Sequence, residues 1–277
     1  MTDIFTQTIN DLIDIGVSSP RLEARMIFSH LLQHPTSSID YKCSLSNKQQ
    51  EQLESVLSRR RNHEPLDKIL GYRDFYKNTF IVNDKVLSPR PDSEILVEET
   101  IKIAQKTNAD TILELGVGSG CLILSILSEC PQLLGWGIDK SADALSIAKQ
   151  NAAKLSLSER ITLEQGDYFS QSLPPKKFSL IISNPPYIAT DEIKTLSPEV
   201  KLYDPTIALD GGADGLFHYR QIASIIGAYM QKNGHILLEI GQGQAEDVKK
   251  IFISCGFEHK ATACDLAGIK RCIIFKK

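Results

Sequence analysis

No stretch of this 277-residue chain approaches the ~18 consecutive apolar residues of a membrane-spanning helix, so no membrane span is expected. The first residues are not basic either. Asp3, Asp11 and Asp14 stand where a signal or transit peptide would be positive, and a cytoplasmic location is the expectation. Cysteine is sparse: Cys43, Cys121, Cys130, Cys255, Cys264 and Cys272 form no C-x-x-C pair and are scattered along the chain. Their spacing matches neither a disulfide framework nor a zinc module, which leaves free thiols in a reducing compartment and no metal. An excess of one charge is also missing. Thirty-one basic against 34 acidic side chains give a formal charge of -3, without the basic surplus of a dedicated nucleic-acid binder. Internal repeats and low-complexity tracts are absent. What is present, 42% hydrophobic and 23% charged residues, is the balance of an ordered globular protein, and the length suggests two domains.

The front of the chain reads as helical. Phe5, Ile9, Leu12 and Ile13 recur at helical spacing, and Ser19-Pro20 offers an N-cap and first-turn proline before Ala24, Ile27, Phe28, Leu31 and Leu32. Ser46-Asn47-Lys48-Gln49 has the form of a capping box, opening a third helix that ends on Arg59, Arg60 and Arg61. The triplet is expected to be a solvated helix end whose cations complement the helix dipole, with a partner-docking patch as the alternative. Residues 76–108 read as a connector, with short extended pieces at Thr79–Val82 and Lys85–Leu87, and Asp92 or Ser93 as a cap for a helix over Ile95–Lys106. The expected organisation is therefore a helical docking domain over 1–75, a linker over 76–108 and a larger domain over 109–277. In that larger domain β-rich runs alternate with helical ones, which predicts an α/β fold on a mainly parallel sheet.

The first strand of the alternating region leads into Gly116-Val117-Gly118-Ser119-Gly120 and then a helix, the place where doubly wound folds hold adenosine-containing ligands. The spacing is G-x-G-x-G, whereas the dinucleotide fingerprint is G-x-G-x-x-G, so NAD fits less well. Nineteen residues past Gly120, Asp139 ends the next strand, where a carboxylate can accept hydrogen bonds from both ribose hydroxyls. After the third strand, Asp167 can meet an adenine amino group while Tyr168 packs on the ring. Loop, first acid and second acid come in the order of an S-adenosylmethionine fold.

Asn184-Pro185-Pro186-Tyr187 follows the fourth strand and so projects from the same sheet edge, bordering both the cofactor and the acceptor. Two prolines stiffen the loop, so the Asn184 side-chain oxygen and a backbone carbonyl can converge on one NH2 group. An amide or exocyclic amine is a poor nucleophile because its lone pair is delocalised. Accepting both of its N–H bonds concentrates electron density on nitrogen as it attacks a methyl carbon, with Tyr187 stacked on the planar group. This tetrapeptide alone leaves a protein amide and a nucleic-acid adenine or guanine amine both open as acceptors.

Over nearly its whole length the sequence resembles the HemK/PrmC protein-(glutamine-N(5)) methyltransferases. The resemblance rests on Asn184 to Tyr187 together with Glu64-Pro65-Leu66, Ile69 to Phe75, Pro89 to Glu94, Tyr203-Asp204-Pro205 with Ala208-Leu209, Gly211 to Leu216, and Leu238 to Gly241. It implies a class I, Rossmann-like S-adenosylmethionine-dependent methyltransferase with a seven-stranded, mainly parallel sheet. A small five-helix N-terminal domain is implied too, joined by a β-hairpin. It also implies a monomer that transfers methyl groups to the glutamine of the Gly-Gly-Gln motif in class 1 peptide chain release factors. Gly116 to Gly120, Asp139 and Tyr168 would contact S-adenosylmethionine, and Asn184 to Tyr187 would grip the glutamine amide. Departures are modest: Ser88 replaces a usual aliphatic residue, Asp204 a common glutamate, Lys68 an aromatic or small residue, and Tyr168 the tryptophan of some members. Of these, Lys68 bears on partner affinity.

Overall fold

The computed structural model describes residues 3–39, 44–170 and 174–277, so Cys43 lies outside the described residues. Two compact units divide the chain: Met1–Gly71 with Pro198–Tyr203, and Tyr72–Ser197 with Asp204–Lys277.

In the first unit, helices α1 (Ile4–Ile15), α2 (Pro20–Leu32), α3 (Asn47–Arg61) and α4 (Leu66–Leu70) are joined by the short helix Pro198–Tyr203, α8 in chain order. Each helix start has a local cause. Asp3 accepts the Thr6 amide at the head of α1, Ser46 and Gln49 form the expected reciprocal capping box, and Ser19 stands at the cap of α2 with Pro20 fixing the first turn. Apolar faces supply the interior, with Phe5 and Phe28 meeting edge to face at 5.0 Å.

The expectation for the arginine triplet is corrected at Arg60. Only 3% of this residue is exposed, and its guanidinium pairs with Glu23 at 3.0 Å and Glu199 at 2.9 Å while donating to the Glu64 carbonyl. Glu199 arrives from 139 positions away, which is why local sequence reads Arg60 as a solvated cation. Lys68 is likewise buried, and its ammonium group donates to the Tyr203 carbonyl, so the departure from an apolar residue ties down the inserted helix.

The second unit begins with an antiparallel hairpin of β1 (Tyr72–Phe75) and β2 (Asn78–Ile81). The extended piece expected at Lys85–Leu87 is a turn instead. Burial of Val86 beside Val82, Ala144 and Ile147 holds the chain there without a strand partner. Helix α5 (Glu94–Thr107) leads into the alternating region: β3 (Thr111–Leu115), α6 (Cys121–Glu129), β4 (Leu134–Asp139), α7 (Ala142–Lys154), β5 (Ile161–Gln165) and β6 (Phe178–Ser183). After α8 come α9 (Phe217–Ile225), β7 (Met230–Glu239), α10 (Ala245–Ser254), β8 (Glu258–Cys264) and β9 (Lys270–Lys276).

Seven strands form one sheet in the order β5-β4-β3-β6-β7-β9-β8, parallel from β5 through β7, with β9 antiparallel to both its neighbours. Alternate side chains serve opposite faces. Ile112, Leu180, Ile182 and Leu237 enter one core, and Leu113, Ile181, Ile236 and Leu238 enter the other. With both faces covered, β3 is buried along its whole length, Ile112 entering one core and Leu113 and Leu115 the other. From β3 the chain proceeds outward through β4 and β5, then returns to the other side of β3 as β6. This reversal opens a crevice at the carboxyl ends of β3 and β6, where doubly wound folds bind ligands.

Candidate active site

One cavity lies in that crevice, and most of the residues singled out in the sequence line it. Gly116, Val117, Gly118 and Ser119 come from the loop after β3, Asp139 from the end of β4, Asp167 and Tyr168 from beyond β5, and Asn184 and Pro186 from beyond β6. Four loops of separate sequence origin thus converge because their strands share one carboxyl edge. Gly120, Pro185 and Tyr187 stand outside the lining residues. Gly120 packs against Leu124, Pro185 is buried, and the partly buried Tyr187 ring packs against one of the two cores with its hydroxyl directed to Glu239 at 3.4 Å.

The glycine loop is held in a form that favours glycine. Gly116 has φ +74° and Gly118 φ +52°, and nothing lies within 4 Å of a Cβ built on either, so the backbone presents itself bare to the cavity. Asp139 fastens this loop. Its Oδ2 accepts the Gly118 amide at 2.8 Å and its Oδ1 accepts the Ser141 amide at 2.8 Å. Each carboxylate oxygen keeps a second lone pair, so two hydroxyls can still be accepted. Burial raises the Asp139 carboxyl above its ordinary range, against the lowering effect of these amides. Asn151 of α7 adds a further tie, its amide donating to the Ser119 carbonyl at 2.9 Å and the Ile81 carbonyl at 3.1 Å.

On the far side of the cavity Asp167 accepts the Phe169 amide at 2.9 Å and pairs with Lys140 at 3.2 Å. Tyr168 is fixed by His218, whose Nδ1 lies 2.8 Å from the phenol oxygen and whose Nε2 lies 3.1 Å from the Asp210 carbonyl. Burial pushes the His218 imidazole below its ordinary value, which favours the neutral ring.

Asn184 shows which of its amide ends is free. Its Nδ2 donates to the Ser93 hydroxyl at 3.4 Å, leaving Oδ1 as an acceptor. Ser93 therefore does other work than the expected helix cap: it holds the cap position of α5 but makes no side-chain capping bond.

Several lining residues are not among the expected site residues. Glu114 is buried within β3, accepts the Ile123 amide at 3.2 Å, and is raised well above the carboxylate range, chiefly by burial. Its place as the acid just before a glycine loop was the available clue. Ser93, His218, and Pro205, Ile207 and Ala208 come from distant segments that only the folded chain brings to the cavity. Arg90 also lines it and pairs with the buried Asp204 at 2.6 Å. Among the described cysteines, Cys121 lines the cavity, Cys130 and Cys272 are buried, and Cys255 and Cys264 are exposed.

Comparison with known proteins agrees with this geometry. Residues 3–71 match the PrmC N-terminal domain and residues 91–198 the methyltransferase small domain. The release factor glutamine methyltransferase of Caulobacter vibrioides is 38% identical over 98% of this chain and 94% of its own length. The chain belongs to the release factor glutamine methyltransferase family. A family member from Rhodospirillum rubrum is 37% identical over 95% of this chain and 80% of its own. A bifunctional methyltransferase of Rickettsia conorii is 36% identical over 98% of this chain, which spans 57% of that protein.

The family's methyl donor is S-adenosylmethionine, and the donor set here fits it. Bare glycine backbone, a two-oxygen acceptor at Asp139, a second acid at Asp167 and the Tyr168 and Phe169 rings suit an adenosine.

Proposed function

We propose that this chain methylates the side-chain amide nitrogen N(5) of the glutamine in the Gly-Gly-Gln motif of class 1 peptide chain release factors, using S-adenosylmethionine. The observation that carries this reading is Asn184. It stands on the same sheet edge as the nucleoside pocket, with its NH2 end engaged by Ser93 and its oxygen left to accept from an acceptor amide.

Residue by residue, Gly116 to Gly120 give the backbone cradle, Asp139 accepts the ribose hydroxyls, Asp167 accepts the adenine amine, and Tyr168 and Phe169 cover the ring. Bound there, S-adenosylmethionine supplies a methyl carbon made electrophilic by its sulfonium. Asn184 Oδ1 and a carbonyl from the Pro185-Pro186 segment accept the two N–H bonds of the glutamine amide, which turns the nitrogen lone pair toward attack. Tyr187 has its carbonyl packed on Gly215 and its hydroxyl on Glu239, so its half-buried ring is left for the planar amide. No ionised base is required before transfer, because the methylated nitrogen is strongly acidic until it gives its proton to water or a nearby carbonyl. The enzyme acts as a cytoplasmic monomer on protein rather than nucleic acid, and the near-neutral charge balance supports the last of these points.

The direct test is to incubate the enzyme with a class 1 release factor and S-adenosylmethionine and map the product by tandem mass spectrometry. One added methyl on the Gly-Gly-Gln glutamine supports the reading. Methylation confined to other residues refutes it.

A further inference from the structure

We propose that Gln244 is a positioning residue for methyl transfer, its side-chain amide locking the backbone of the loop that grips the acceptor. This rests on the reading of Asn184 to Tyr187 as that grip. Gln244 stands just before α10, 57 residues from Tyr187 in sequence, and its Nε2 donates to the Tyr187 carbonyl at 2.9 Å and the Gly215 carbonyl at 3.3 Å. Its Oε1 accepts the Gly241 amide at 3.0 Å and lies 3.5 Å from the Tyr219 hydroxyl. One side chain thus joins three segments: the gripping loop, the turn around Gly215, and the exit of β7.

The chemistry of those partners specifies an amide. Two carbonyls require a donor and a backbone N–H requires an acceptor, which a primary amide supplies together and a carboxylate does not. Close packing shows that the arrangement is built. A Cβ on Gly215 would fall 2.5 Å from the Tyr187 oxygen and 2.8 Å from Gln244 Nε2, and one on Gly211 would fall 2.8 Å from the Tyr187 Cα. A Cβ on Gly241 would fall 2.7 Å from Gln244 Oε1. Only glycine admits so near an approach of backbone to backbone.

Tyr187 follows the end of β6 by four residues and has left the sheet's own hydrogen-bond ladder. Gln244 replaces that support. Through the stiff Pro185-Pro186 link, a fixed Tyr187 backbone fixes where Asn184 Oδ1 and the neighbouring carbonyls point. A displacement of about 1 Å at such a site costs on the order of 100-fold in rate.

The experiment compares wild type with Gln244→Ala and Gln244→Glu in methylation of an intact release factor, with cofactor affinity and unfolding midpoint measured alongside. At pH 8 both variants are expected to lose about 10- to 100-fold in kcat, with KM for the release factor and Kd for S-adenosylmethionine within about threefold of wild type. Lowering the pH toward 6 is expected to restore part of the kcat of Gln244→Glu, as its carboxyl gains the proton it donates to the Tyr187 carbonyl, and none of Gln244→Ala. Wild-type kcat in both variants overturns the proposal. So does a loss matched by weakened cofactor binding or by a smaller folded fraction, which would make Gln244 a purely structural residue. If wild type itself leaves the release factor unmethylated, the functional reading fails and this proposal falls with it.

Discussion

The Asp139 carboxylate and the Gly118 amide are joined at 2.8 Å, so the acid proposed to accept the ribose hydroxyls also fixes the glycine loop beside it. Loss of this side chain removes both a ligand contact and a loop restraint. A charged hydrogen bond contributes about 1.5–3 kcal/mol, so Asp139→Ala is expected to weaken S-adenosylmethionine binding by roughly 10- to 100-fold. Isothermal titration checks this, and an unchanged Kd contradicts the assignment.

At Asn184 the expected effect falls on chemistry instead. Asn184→Ala removes the side-chain acceptor while the glycine loop and Asp139 stay in place. A loss of about 100- to 1,000-fold in kcat is expected, with cofactor affinity within a few-fold. Single-turnover kinetics with saturating cofactor measure it, and full turnover in the variant removes Asn184 from the mechanism.

Glu239 gives a pH signature in stability. It is buried at the end of β7, where one oxygen accepts the Tyr187 hydroxyl and the other has no partner among the described residues. Burial, the largest cause, raises its carboxyl from 4.5 to about 7, opposed by Ser93, Arg271 and Tyr187. A carboxyl raised in this way stabilises the fold in its protonated form. That contribution is full below the unfolded value near 4.5 and is lost as pH rises through about 7. Glu239→Gln stays neutral throughout, so it should match wild type near pH 5 and exceed it above pH 7, by on the order of 1 to 3 kcal/mol. Urea unfolding across this range reads the difference directly, and a gap independent of pH runs against the argument.

Arg60 tests the first unit alone. Replacing it by Met strands two carboxylates, Glu23 and Glu199, that now share one buried guanidinium. Glu23 is mostly buried while Glu199 is half exposed and can be solvated, so Arg60→Met should cost about 3 kcal/mol and lower the denaturant midpoint of the protein. A cost below about 1 kcal/mol would return Arg60 to the role of a solvated helix end.

How far the sequence carries can be judged residue by residue. The order of β3, the glycine loop, Asp139 and Asn184 is legible because each signal is local: an apolar run, a G-x-G-x-G turn, an acid at a strand end, a proline-stiffened loop. Parallel strands then bring the four to one edge without further information. Arg60, Ser93 and Gln244 read wrongly or silently for the opposite reason. Their partners Glu199, Asn184 and Tyr187 lie 139, 91 and 57 positions away, and no periodicity encodes such a meeting. At residues 84–86 the chain turns where an extended piece is expected, because Val86 is held by burial rather than by strand pairing.

The central claim is the acceptor, and a methyl-transfer assay with labelled S-adenosylmethionine tests it most directly. Three substrates are offered: an intact class 1 release factor, the same protein with the glutamine of its Gly-Gly-Gln motif changed to alanine, and bulk RNA. Label on the intact release factor alone is the predicted result. Label on RNA alone would contradict the account, since Asn184 to Tyr187 would then be holding a base in place of a protein amide.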